Sequence, residues 1–157
     1  MELALRALMP EDADAARAFV SAQLANDRYR VRALEVLDGA LKFEDPEYMA
    51  LLAFDDGGRR LCGLVLFGTV AGARSVVKVH GVIAVHLPAA VALLEAVART
   101  SEHSGERMIV CEIPDDPALV VAAAALDATG FSEEGRVPDF IADGIALRLL
   151  VRPLYGA

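Results

Sequence analysis

Apolar and polar residues alternate from Leu3 to Leu8 (LALRAL), which predicts a strand with Leu3, Leu5 and Ala7 on one side. Pro10, Glu11 and Asp12 then suit the opening turn of a helix. Its inner stripe is Ala16, Phe19, Val20, Gln23 and Leu24. A second helix is predicted from Arg30 to Leu41, with Val31, Leu34, Leu37 and Leu41 inward and Arg28, Arg30 and Arg32 at its start. Three strands follow. EYMALLAF and LCGLVLFGTV flank the hairpin signal DDGGRR, and AGAR turns the chain into SVVKVHGVIAV. Gly81 inside that last strand marks either a bulge or a plain packing position.

After Pro88, Val91, Leu94, Val97 and Ala98 form the inner face of a third helix, with Glu95 and Arg99 as an outward pair. The helix stops at His103, Ser104 and Gly105, and RMIVCEI returns as a buried strand. PDDPALVVAAAALDATGF predicts a fourth helix, capped by Asp115 or Asp116, with Pro117 in the first turn and Gly130 as its left-handed stop. Two short strands, around FSEEGRV and IALRLLVR, are joined by PDFIADG. The pattern describes one α/β (α+β) domain, 1–157, with a mixed, mostly antiparallel central sheet of about seven strands flanked by about four helices.

Composition supports this picture. A chain of 157 residues, 55% hydrophobic, buries about 70% of its unfolded surface as one domain. No apolar run approaches the roughly 20 residues that cross a bilayer. The acidic start lacks a secretion-signal pattern, so the expectation is a cytoplasmic protein without a membrane partner. The net charge of −8 argues against nucleic acid, which needs a cationic face. It suits a cationic amine ligand and, equally, a solvated surface. Cys62 and Cys111 sit in apolar strand-like runs as expected buried thiols, and no Cys/His spacing predicts a metal.

The element order, with IAV at 83–85, RMIVCEI, ALDATGF and EEGRVPDFIADG, resembles the GNAT superfamily of acetyl-CoA-dependent N-acetyltransferases. The resemblance spans essentially the whole chain. It implies that an amine loses a proton to a base and attacks the thioester of acetyl-CoA. It also implies that the fourth and fifth strands splay to hold pantetheine, with Ile83, Ala84, Val85 and His86 supplying backbone contacts to the cofactor. Gly81 is then the expected start of the splay.

Two departures stand out. In the family the diphosphate rests on a glycine-rich loop at the next helix N-terminus, where free N–H groups and the helix dipole stabilise its charge. Here that junction reads HLPAA, with no glycine, no arginine or lysine, and a proline that removes one N–H. Leu126 occupies the position of the family's proton-donating tyrosine, and leucine has no proton to give.

Glu112 is the candidate general base, since an acid inside an apolar strand has its pKa raised; the alternative is a strand glutamate facing water or pairing with an arginine. His80 and His86 share strand parity and can meet Glu112 in a polar site, or stand apart as satisfied histidines. Asp139 and Asp143 are placed near an amine acceptor by the resemblance, although both also suit turns. Phe140 and Ile141 supply an apolar contact for a homodimer or a lid. The resulting expectation is a GNAT-like protein with acetyl-CoA use weakened or lost. Three alternatives stand beside it: an active N-acetyltransferase for a small amine, gripping coenzyme A through Arg28–Arg32; a non-catalytic ligand sensor or assembly subunit; or an unrelated α/β binding domain.

Overall fold

The computed structural model describes residues 2–155. Seven strands, β1 (Ala4–Ala7), β2 (Met49–Asp55), β3 (Arg60–Thr69), β4 (Val76–Ala84), β5 (Met108–Pro114), β6 (Ser132–Ala142) and β7 (Ile145–Pro153), form one sheet. Their order is β1-β2-β3-β4-β5-β7-β6. Every neighbouring pair is antiparallel except β4 and β5, which run parallel. The helices are α1 (Ala13–Gln23), α2 (Asp27–Ala40), α3 (Leu87–His103) and α4 (Val120–Ala128).

The sheet is covered on both faces, so its central strand reads as an unbroken apolar run. Leu64 and Leu66 of β3 join α1 and α2 through Ala16, Val20, Val36 and Leu37. Val65 and Phe67, one residue out of phase, join α3 and α4 through Leu93, Leu94, Val97 and Leu126. The alternation of the strand therefore assigns each helix pair to its own face.

Local signals in the sequence account for the helix ends. Asn26 caps α2 by accepting the Arg28 N–H at 2.9 Å. Asp116 accepts the Ala118 N–H ahead of α4, and Gly130 beyond it takes φ 86°.

Three expectations change. The second helix begins at Asp27, not Arg30, and Val31 lies on its exposed side. Glu95 pairs with Arg152 of β7 at 3.0 Å, not with Arg99. PDFIADG is no loop: β6 runs through it to Ala142 past a register shift, and Asp143–Gly144 alone make the turn. A bulge lets strand pairing resume among turn-forming residues.

Gly68 fixes one further piece. A Cβ there would stand 2.1 Å from the Glu47 carbonyl oxygen, so only glycine admits this crossing segment against β3. Thr69 N–H donates to Pro46 O at 3.0 Å and holds the segment in place.

Candidate functional site: a cleft where the sheet divides

β4 and β5 pair from Val76–Met108 to Val79–Cys111 and then separate. The separation begins at a bulge. Leu66 faces Gly81 and Phe67 faces Val79, which leaves His80 as the extra residue. A cleft of about 350 Å³ opens beyond it. Arg28, Tyr29 and Arg32 of α2 line one side and Leu119, Ala122 and Leu126 the other, so the cleft passes through the sheet. The position of a Cβ on Gly81 meets nothing within 4 Å.

The α2 side carries the charge. Lys78 and Glu112 lie 4.0 Å apart on neighbouring strands. The Glu112 side chain is 51% exposed, so the apolar enclosure expected of a general base is absent. Its strand parity turns it from the α3–α4 core, where Cys111 and Ile113 are buried, towards α2. Tyr29 Oη donates to Asp116 Oδ2 at 2.6 Å, joining α2 to the turn before α4. Burial and that carboxylate raise the phenol's pKa, and the phenol in turn lowers the pKa of Asp116.

His80 is the other polar group on the bulge. Its Nε2 lies 2.8 Å from Glu47 O, and a carbonyl only accepts. Nε2 therefore carries the hydrogen, and Nδ1 keeps the lone pair. Burial lowers the imidazole pKa, and the ring stacks on Tyr48 with centroids 5.4 Å apart.

His86 is elsewhere. It caps α3, its Nδ1 accepting the Ala89 N–H at 3.1 Å. Ala90 N–H goes to His86 O, and Pro88 has none. Of the first four positions of α3, only Leu87 retains an uncommitted N–H. His86 Nε2 faces Asp55 Oδ2 at 3.4 Å. The Asp55 carboxylate is buried, and hydrogen bonds from Arg60 are the main cause of its pKa falling to about 2. It stays ionised at neutral pH.

Asp55, Cys62 and His86 bring three ligand-type atoms within 4.8 Å of one another. The cap argues against a metal there. A metal on Nε2 needs a hydrogen on Nδ1 or an imidazolate ring, and Nδ1 is already an acceptor from Ala89. Arg60 Nε and Nη2 also occupy both Asp55 oxygens at 2.8 Å.

The sequence-predicted residues thus separate. Val85 N–H donates to Cys62 O within the β3 ladder. Antiparallel alternation then directs Ile83 to β3 as well and turns Val82 and Ala84 to the gap. His80 and Glu112 both line the cleft, whereas His86 stands at the α3 entrance. Asp139 adopts φ 54° and accepts the Gly144 N–H at 2.7 Å, a turn-forming role. Neither Asp139 nor Asp143 lines the cleft, but Phe140 and Ile141 between them do. Sequence reasoning missed Tyr29 and Asp55, whose partners or neighbours lie far along the chain.

No known family profile matches the sequence, and no curated protein matches it either. Solved structures do match. One described as a GNAT-family acetyltransferase from Desulfovibrio desulfuricans has a TM-score of 0.82 at 19% identity, covering 98% of this chain and all of that one. A phosphinothricin acetyltransferase from Sinorhizobium meliloti in complex with acetyl-CoA gives 0.75 at 16%, covering 98% and 89%. An acetyltransferase from Salmonella typhimurium with acetyl-CoA gives 0.74 at 14%, covering 99% and 95%. The fold is that of the GNAT acetyltransferases. The parting of β4 and β5 after Val79–Cys111 is the strand separation expected from the resemblance. Leu126, 1% exposed, gives that cleft an aliphatic wall. Among the described residues, no helix is long and apolar enough to cross a membrane.

Proposed function

We propose that this chain descends from an N-acetyltransferase and that its use of acetyl-CoA is weakened or lost. The observation carrying this reading is the closed entrance of α3. His86, Pro88 and the first helical turn leave only the His86 and Leu87 N–H groups uncommitted, beside an ionised Asp55. Acetyl-CoA, the cofactor that the fold implies, fits this chain in part. The bare edge of β4 at Val82 and Ala84 suits an extended amide arm. The α3 entrance does not suit a diphosphate, because it lacks the donors and dipole access that stabilise that charge. Arg28 and Arg32 do not replace them, since they line the cleft from α2 on the opposite face of the sheet.

Charge-assisted hydrogen bonds contribute about 1.5–3 kcal/mol each, and every 1.4 kcal/mol or so is tenfold in affinity. Losing two or three removes a micromolar site. Isothermal titration with acetyl-CoA and CoA tests this. The expected dissociation constants lie above about 100 μM, and clear low-micromolar binding would sink the reading.

One observation favours an active enzyme. His80 keeps a lone pair on Nδ1 and Glu112 an exposed carboxylate in the same cleft. Either group can take a proton from an amine. Acetyl transfer to a panel of polyamines, aminoglycosides and peptide N-termini separates the two readings.

A further inference from the structure

The α2 face of the cleft carries charge of the opposite sign to the molecule as a whole. Three cations line the cleft, Arg28, Arg32 and Lys78, against one carboxylate, Glu112, in a chain of net charge −8. Arg28 and Arg32 stand at i,i+4 on α2 and so project from one side of that helix. Lys78, half-buried, reaches the same space from β4.

The partners of these cations are weak or absent. Among the described residues Arg28 makes no ion pair. Asp116 stands near it: after the Tyr29 hydroxyl and the Ala118 N–H, the Arg28 charge also lowers the Asp116 pKa. Both Asp116 oxygens are already taken, Oδ2 by Tyr29 Oη and Oδ1 by the Ala118 N–H. Arg32 meets the exposed Glu35 at 3.4 Å, a surface pair of little strength. Lys78 and Glu112, 4.0 Å apart, are beyond hydrogen-bond reach. His80 adds no charge, because burial chiefly, with Lys78 and Arg32 nearby, lowers its pKa and keeps the ring neutral.

The rest of the lining is largely aliphatic, with Leu24, Val36, Leu66, Ile113 and Leu126. Low-dielectric walls concentrate the field of the cations into the opening. A cation entering here is repelled, and a bare inorganic anion makes no use of the aliphatic wall. A carboxylate on an apolar body matches both features. Guanidinium groups pair with its two oxygens, and its carbon skeleton displaces water from the wall. At about 350 Å³ the cleft lies at the small end of ligand pockets, which suits a short body.

We infer that the α2 mouth of the cleft binds a small apolar carboxylate, held by Arg28 and Arg32 with Lys78 beside them. The acidity of the whole chain favours a cationic ligand, and the local charge reverses that preference. The site lies across the sheet from the α3 entrance, so it stands whether or not coenzyme A is held.

The test is an amide NMR titration of the wild-type protein, without added coenzyme, with isocaproate (leucine lacking its amino group). Isocaproamide, isohexylamine and inorganic phosphate are titrated separately. Support requires saturable shifts at Lys78, His80 and Glu112 with isocaproate, and binding of the amide and the amine at least about tenfold weaker. No shift with isocaproate, or equal affinity for acid and amide, overturns the inference. Phosphate binding as tightly as isocaproate also overturns it, since the site is then a bare anion patch. Leucine separates two sources of the carboxylate. Tighter binding than isocaproate assigns an amino acid with its ammonium at Glu112, and weaker binding assigns a plain acid; each supports the inference. An Arg28→Gln, Arg32→Gln double variant adds a second measurement, and both side chains are exposed, so the fold is not at stake. Its affinity for isocaproate should fall at least about tenfold; unchanged affinity overturns the inference. Failure here leaves the weakened grip at α3 standing, and tight coenzyme A binding leaves this inference standing.

Discussion

Arg60 closes on Asp55 through two hydrogen bonds of 2.8 Å, from Nε and from Nη2, across the base of the β2–β3 hairpin. Arg60 is largely exposed and Asp55 is buried, so the pair ties an open surface to the foot of α3. The arrangement lowers the Asp55 pKa from 3.8 to about 2, chiefly through Arg60 and next through the His86 ring. A depressed carboxylate stabilises the fold fully above its unfolded pKa and loses that contribution as pH falls through the folded value. Melting temperature should therefore drop between about pH 4 and the folded pKa. In Asp55→Asn this acid limb should be shallower, with Asp12, Asp116 and Glu133, also depressed, supplying what remains. Circular dichroism melts across that window check it; an unaltered limb in the variant contradicts the assignment.

The His86 cap leads to a comparison of two substitutions. His86→Ala leaves Ala89 N–H without its partner and should cost about 1 kcal/mol, the usual loss for a removed cap. His86→Asn should recover most of it, because asparagine caps well with a shorter side chain. Urea unfolding of both variants measures the difference. Equal destabilisation would mean that His86 acts through Asp55 and not through the helix end.

Tyr29→Phe removes the 2.6 Å bond that joins α2 to Asp116. The expected cost is about 1 kcal/mol for a partly exposed hydrogen bond. A titration signature should accompany it. The phenol is the largest cause of the lowered Asp116 pKa, so that pKa should rise towards the ordinary carboxylate range. Carboxyl carbon NMR reads this directly.

Cys62 and Cys111 are buried free thiols, and burial pushes both pKa values up, Cys111 to about 12. Reaction needs the thiolate and access, and the native state supplies little of either. Labelling with a thiol reagent at pH 8 should proceed at the global unfolding rate. Fast reaction of Cys111, which lines the cleft, would show that the cleft opens far more readily than its geometry implies.

Legibility varied with the range of the interaction. The DDGGRR hairpin and the Gly130 stop are local, and each appeared where residue chemistry placed it; Asp116 caps a short 3₁₀ turn, Pro117–Leu119, and α4 itself begins at Val120 without a side-chain cap. The poor donor content of HLPAA was also legible, because it needs only residue types. What the sequence hid was that the His86 ring takes a further N–H and that Asp55, 31 residues away, stands behind it. The start of α2 was obscured because its first turn, Asp27–Arg30, is polar. Glu112 was legible in its strand but not in its setting. An apolar neighbourhood in sequence suggested enclosure, but strand alternation turned the carboxylate to Lys78. Tyr29 drew no attention because Asp116 lies 87 residues further on.

The molecule's backbone is two blocks of sheet, β1 to β4 and β5 to β7, stitched by the short parallel ladder from Val76–Met108 to Val79–Cys111. Among the described residues the two blocks share no other ladder, while a single apolar core beneath α3 and α4 runs across both and holds them in one piece.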